Sequence, residues 1–123
     1  MTAEQLISDL ARALGVTVAQ LRSRSRKRHI AQSRQAACWA LHTAFPKMSQ
    51  QSIGDLLGGR DHTTVKYAID RVTIRLAEDT ALFMQLYAAL PSLFVPPPPG
   101  HAIPRGMAFW AALGRKGWTV AAA

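Results

Sequence analysis

Apolar residues recur at helical spacing along the first ninety positions, with almost no two-residue alternation, so the chain reads as a series of short helices. Leu6, Ile7, Leu10 and Leu14 share one face behind Thr2-Ala3-Glu4-Gln5, which fits a capping box, and Gly15 is a natural stop. A second box, Thr17-Val18-Ala19-Gln20, opens a brief helix carrying Val18 and Leu21. The run from Arg22 to His29 is basic without an apolar period and reads as an exposed loop. Helical spacing resumes from about Ser33 to Phe45, with Ala37, Ala40, Leu41 and Ala44 inward, and Pro46 ends it. Ser49 suits the cap of a short helix holding Ile53, Leu56 and Leu57, which Gly58-Gly59 breaks. Asp61 or Thr63 can cap the next helix, where Val65, Ala68, Ile69, Val72 and Leu76 form a stripe. A last helix is predicted over 79–90, with Phe83, Leu86, Tyr87 and Leu90 buried and Pro91 closing it. The expected fold class is an all-α multi-helix bundle over residues 1–92.

Beyond it the pattern changes. Residues 93–100 contain Pro96-Pro97-Pro98-Pro99-Gly100, too stiff and donor-poor for a helix, and predict an extended polyproline II spacer. Residues 101–123 carry Ile103, Met107, Phe109, Trp110, Leu113 and Trp118, an apolar tail that either packs on its own domain or docks on a protein partner. At 123 residues the chain is expected to be one domain with an appendage. The lone Cys38 forms no internal disulfide, which excludes a disulfide scaffold and fits a reducing compartment. Met1 to Gln5 does not open a signal peptide, and no apolar run approaches the roughly 20 residues of a membrane span. A cytoplasmic, nucleoid-associated protein is the expectation. No heptad seam is visible either, so a monomer is expected, with association through 101–123 as the alternative.

Charge sharpens the picture. The net charge is +8, and the excess is local: residues 22–75 hold eleven Lys and Arg against Asp55, Asp61 and Asp70, a surplus equal to that of the whole chain. A field of this sign attracts polyanions, nucleic acid foremost. The same stretch holds a short helix, the Gly58-Gly59 break and a second helix, which is the pattern of a helix-turn-helix. In that motif the start of the second helix meets base edges in the major groove. Here that start is Arg60-Asp61-His62-Thr63-Thr64: Asp accepts from a cytosine amino group, His reaches purine acceptors, and Thr packs on a thymine methyl. The competing reading makes Asp61 and Thr63 ordinary helix caps.

The string from Ile53 to Val65, IGDLLGGRDHTTV, resembles the signature of the C-terminal DNA-binding domain of the bacterial replication initiator DnaA family. Gly58-Gly59-Arg60-Asp61-His62-Thr63-Thr64-Val65 matches it without a mismatch. Upstream, Arg26-Lys27-Arg28-His29-Ile30-Ala31-Gln32-Ser33-Arg34-Gln35 is similar to the family's basic loop and next helix. The resemblance covers roughly residues 3–90. It implies sequence-specific double-stranded DNA binding at DnaA-box-like sites, with Asp61, His62 and Thr63 as base readers and Arg26, flanked by Arg24 and Arg28, in the minor groove. It also implies phosphate contacts from Arg34, Thr64 and Arg71, and Arg60 and Lys66 lie where they would join them. A narrow A·T-rich minor groove concentrates negative potential and draws in guanidinium groups, which supports this division. Departures are Lys47-Met48-Ser49-Gln50-Gln51-Ser52, one residue longer than usual and without an apolar-Pro pair, His42 in place of a Lys, and the spacer and tail.

The ATPase module that precedes this domain in the family is not expected in so short a chain. Gly54 to Asp61 imitates a phosphate loop, but Arg60-Asp61 stands where Lys and a hydroxyl belong and no strand precedes it. Cys38 and His42, four apart, lack the second ligand pair that structural zinc needs, and no nucleophile–base pair appears. Neither an enzyme, a cofactor nor a metal is expected. DNA binding would then regulate replication initiation or transcription without ATP hydrolysis. The alternatives are an interaction adaptor that kept the fold, of mobile-element or phage type, and a nonspecific nucleic-acid binder resting on the basic loop alone.

Overall fold

The computed structural model describes residues 2–94 and the backbone of 95, 119 and 120. Six helices follow in order: α1 (Ala3–Leu14), α2 (Val18–Arg22), α3 (Arg28–Ala44), α4 (Gln50–Leu56), α5 (His62–Glu78) and α6 (Thr80–Ala89). The domain is all-α. A 3-10 turn at Pro91–Leu93 leads to β1 (Phe94–Val95), which pairs antiparallel with β2 (Thr119–Val120), Phe94 opposite Val120. The polyproline spacer expected from Pro96 and the apolar tail otherwise lie outside the described residues.

Both capping boxes form. Thr2 Oγ1 accepts from the Gln5 amide while Gln5 Oε1 accepts from the Thr2 amide, and Thr17 and Gln20 repeat the exchange. Gly15 closes α1 in the left-handed region at φ 74°, where its lack of a Cβ matters. α3 is the central element and packs on α1, α2, α4 and α5. Its middle, Ala36-Ala37-Cys38-Trp39-Ala40-Leu41, is buried all round. Small residues there let the neighbouring helices approach closely, and the remaining space is filled by Leu6, Ile7, Leu10, Leu21, Ile53, Val72 and Leu76.

α3 begins five residues earlier than its apolar spacing predicts, so the basic loop shrinks to 23–27. The missed turn has its own supports. Ile30 is buried, Ala31 donates to the Lys27 carbonyl at 2.8 Å, and the Ser33 hydroxyl donates to the His29 carbonyl at 2.8 Å. Lys27 offers no side-chain cap, so the usual sign of a helix start is absent from the sequence.

Asp79 ends α5 and starts α6, its carboxylate accepting from the Leu82 amide at 3.0 Å. α6 brings Phe83 and Tyr87 against Phe94, with ring centroids 5.1 and 5.9 Å apart, and Trp39 of α3 stacks on Phe94 at 5.6 Å. Leu93 and Phe94 are buried in the same core, so it continues past the end of α6.

Candidate nucleic-acid interface

The α4–α5 corner is built around one carbonyl. Gly54 O accepts from the amides of Leu57, Gly59 and Arg60 at 3.1, 3.0 and 2.9 Å, folding the chain back on α4. A Cβ at Gly54 would overlap the Arg60 carbonyl, and one at Gly58 would overlap the carbonyl of Arg22. Gly58 and Gly59 both take positive φ, at 88° and 81°. Two successive left-handed residues and two backbone-to-backbone approaches explain why this corner is written with glycines. Leu57 and Val65, both fully buried, fasten its two arms to the core.

The corner delivers the first turn of α5 to the surface. Asp61 caps it: Oδ1 accepts from the Thr64 amide at 2.8 Å and from the Thr63 hydroxyl at 2.6 Å. These bonds, that from Thr63 first, hold the carboxyl at about 2, well below the ordinary carboxylate range, so Asp61 carries full charge at neutral pH. His62, Thr63 and Thr64 are all exposed beside it. Further along the same helix Lys66 pairs with Asp70 at 2.9 Å in the open, and Arg71 is exposed. Asp61 is therefore a cap and a surface anion at once, since both bonds fall on one carboxylate oxygen.

The second surface is the loop 23–27. Its alternation of Ser and basic residues has a structural meaning: Ser23 and Ser25 are half-buried while Arg24 and Arg26 are exposed. Ser23 Oγ donates to the Gln20 carbonyl at 2.7 Å and accepts from the Ser25 amide at 3.3 Å, and Ser25 Oγ accepts from the Lys27 amide at 3.3 Å. Short hydroxyl turns thus shape the loop and leave the arginines outside. Arg28, the first residue of α3, is exposed next to them.

Arg34 grips this loop from inside. Its Nε donates to the Leu21 carbonyl at 2.8 Å, and its Nη2 donates to Ser23 and Ser25 carbonyls at 2.8 and 3.2 Å. Arg60 Nη2 donates to the same Ser23 carbonyl. Burial, and then the neighbouring Arg60 charge, lower the Arg34 pKa from its usual value. Arg34, expected on phosphates from the resemblance, and Arg60, expected to join it there, thus lie on loop backbone, Arg34 half-buried with its Nε and Nη2 engaged. Arg22 adds a third tie, from its Nε to the Leu56 carbonyl at 3.0 Å and from its Nη2 to both Glu4 oxygens at 3.0 and 2.9 Å.

A small cavity of 110 Å³ lies between α3 and α5, lined by Arg34, Gln35, Cys38, Arg60, Thr64 and Tyr67 among others. Sequence reasoning passed over Tyr67, which is 62% exposed one turn beyond Thr63 and Thr64. Its signal was available: a large aromatic off the apolar stripe of α5, on the outer side that also exposes Ile74.

The other candidate sites resolve on simple grounds. The amides of Gly59 and Arg60 are bonded to Gly54 O, and Gly54 is helical, so this run presents no amide cradle to a phosphate. Cys38 is buried and burial pushes its thiol up to about 12, whereas His42 of the same helix is exposed, so the two do not form a ligand pair. Among the described residues no three His, Cys, Asp or Glu side chains group as metal ligands, and no helix is long and apolar enough to cross a membrane.

Residues 3–72 match the family model described as bacterial dnaA protein helix-turn-helix. The chain is also similar to chromosomal replication initiator proteins DnaA. It is 36% identical to that of Chloroflexus aurantiacus over 88 residues, which are 72% of this chain and 18% of the relative. Identity is 40% over 82 residues with that of Caulobacter vibrioides, covering 67% of this chain and 16% of the relative. With that of Gloeobacter violaceus it is 42% over 72 residues, covering 58% and 16%. The chain thus spans under a fifth of the length of these relatives, and the residues 3–72 matched by the family model contain α1 through the front of α5, including both exposed surfaces. On this match the chain belongs to the bacterial DnaA helix-turn-helix family.

Proposed function

We propose that this domain binds double-stranded DNA sequence-specifically at DnaA-box-like sites, reading two grooves from the two surfaces described above. The carrying observation is their adjacency: Ser23 of the basic loop is hydrogen-bonded to Arg60, next to the cap of α5. Asp61, His62 and Thr63 at the start of α5 meet base edges in the major groove, where their donors, acceptors and methyl group suit direct readout. Arg24, Arg26 and Arg28, exposed and without a carboxylate partner among the described residues, supply guanidinium groups for the adjacent minor groove. Thr64, Lys66 and Arg71 line the flank of α5 for phosphates. Arg34 and Arg60 act behind this surface, on the loop that carries the arginines.

In the cell, occupancy of such sites would regulate replication initiation or transcription with no nucleotide hydrolysis by this domain. We place it at the nucleoid as a monomer, with residues 101–123 available to a protein partner. The test is a fluorescence-anisotropy titration of the full chain against a duplex containing a DnaA box and a scrambled duplex, at several salt concentrations. A preference of the order of 10³-fold for the box is expected. Equal, steeply salt-dependent binding to both would leave a nonspecific binder, and binding to neither would favour the adaptor reading. His62→Ala and Thr63→Ala should each cost about 1–3 kcal/mol on the box and little on the scrambled duplex.

A further inference from the structure

Arg60 stands at the junction of the two proposed reading surfaces without itself lying on either. Its backbone is locked into the α4–α5 corner by its amide bond to Gly54 O at 2.9 Å. Its guanidinium turns inward, half-buried, and Nη2 donates to Ser23 O. That carbonyl also accepts from Arg34 Nη2 at 2.8 Å, and Arg34 belongs to α3. One loop carbonyl is therefore shared by donors from α3 and from the residue directly before the α5 cap. Among the described residues no carboxylate accepts from either guanidinium: Arg34 is held by the backbone oxygens of Gln20, Leu21, Ser23 and Ser25, and Arg60 by Ser23 O alone, its buried Nε having no partner there.

Nothing else among the described hydrogen bonds ties the loop 23–27 to the start of α5. The Ser23 and Ser25 hydroxyl turns fix its internal shape, and Arg34 fixes it to α3, which sets it relative to Asp61-His62-Thr63 only through the packing of α3 on α5; the Arg60 bond is the direct tie. Side chains as long as Arg24 and Arg26 lose conformational freedom on entering a groove, and that cost is lower when the backbone beneath them is already placed. From this geometry we infer that Arg60 is a positioning residue: it sets the loop against the recognition helix so that both grooves are read as one rigid unit. The inference rests on the proposed DNA binding and gives it a further property, namely that the contribution of the loop arginines depends on a side chain that touches no base.

The experiment is a mutant cycle on the full chain. Binding to the box duplex is measured for the wild type, for Arg60→Met, for Arg24→Ala/Arg26→Ala together, and for the combination. Met keeps the apolar stem and removes the guanidinium. In the wild-type background the loop substitutions are expected to weaken box binding by about tenfold or more, and in the Arg60→Met background by less than about threefold. Equal factors in the two backgrounds would overturn the proposal, and a salt slope lowered by about one unit with those equal factors would make Arg60 a plain phosphate contact.

A second measurement needs no DNA. Amide hydrogen exchange at 24–27 is expected to speed up in Arg60→Met while the amides of α3 stay protected, and unchanged loop exchange would overturn the proposal. Should Arg60→Met lose its helical circular dichroism, Arg60→Gln, with a shorter polar head that falls short of Ser23, takes its place in both measurements. A wild type without preference for the box refutes the proposed function itself, whereas preference with an additive cycle refutes only the role of Arg60.

Discussion

Gly54→Ala is the sharpest test of how the corner is packed. On an exposed helix the change would stabilise by about 1 kcal/mol, because Ala is the better helix former. Gly54 is the fifth residue of α4 and is buried, and the space for a methyl is already filled. An added Cβ overlaps the Arg60 carbonyl oxygen and sits 2.9 Å from its carbon. The neighbour is backbone, so relief requires the Gly58–Asp61 segment to move outward. That movement stretches the bonds that the Gly59 and Arg60 amides make to Gly54 O, worth about 1 kcal/mol each. It also loosens fully buried Leu57 and Val65, and overpacking of this kind costs about 1–3 kcal/mol. Set against the propensity gain, the net loss comes to about 3 kcal/mol. For a domain of this size that lowers the melting temperature by about 15 °C, at ~4–8 °C per kcal/mol.

Gly15→Ala is the control, since a Cβ there meets nothing within 4 Å and the substitution suffers only from its φ of 74°. Its cost should be about 1 kcal/mol. Both variants are compared with the wild type by thermal melts followed at 222 nm. If Gly54→Ala melts no lower than Gly15→Ala, the backbone contact at the corner does not exist and the account of its glycines fails.

Four further outcomes follow from the same geometry. Arg34→Met takes the side-chain donor from the Leu21 and Ser25 carbonyls and one of the two donors from Ser23 O, and should lower stability by about 2 kcal/mol in chemical denaturation; an unchanged midpoint with a salt slope for DNA binding lowered by about one unit would return Arg34 to the phosphates. Phe94→Ala should cost about 3 kcal/mol, because its ring contacts Trp39, Phe83 and Tyr87; a neutral result would place the fold boundary before residue 94. The folded-state pKa of Asp61, about 2, lies below its ordinary value, so its contribution is present above about pH 4 and is lost as pH falls toward 2; Asp61→Asn should flatten that acid limb, and an unaltered acid limb would refute the cap. Cys38 should resist alkylation at pH 8 until denaturant is added, since it is buried and its thiol is raised to about 12; ready labelling of the native protein would show that α3 is not packed as described.

Helix placement was legible wherever a cap or an apolar stripe announced it. Thr2 and Thr17 open their helices with the boxes the sequence spells, and Asp61, expected as either cap or reader, caps α5 with one oxygen while staying exposed. The start of α3 was hidden because Lys27 carries no capping group, and what fixes that turn is a buried Ile30 and the Ser33 back-bond, both tertiary or local details without a pattern. The first turn of α5 was legible as a surface because an uninterrupted polar run, Arg60 to Thr64, preceded the apolar stripe.

What sequence could not supply was the direction in which each arginine points. Arg24, Arg26, Arg34 and Arg60 are equivalent as letters and as charges, yet the first two are exposed and the last two hold the backbone beneath them. The difference is set by which carbonyls the fold leaves without a donor. A five-residue loop between α2 and α3 is too short to pair its own carbonyls, and oxygens turned inward must be satisfied by the neighbouring elements. A guanidinium, with several donors in a fixed plane, serves more than one of them at once, which a lysine does less well. A surplus of positive charge in a binding domain is therefore not a count of contacts to its polyanion. Here part of it is structural, and the exposed remainder is what salt would screen.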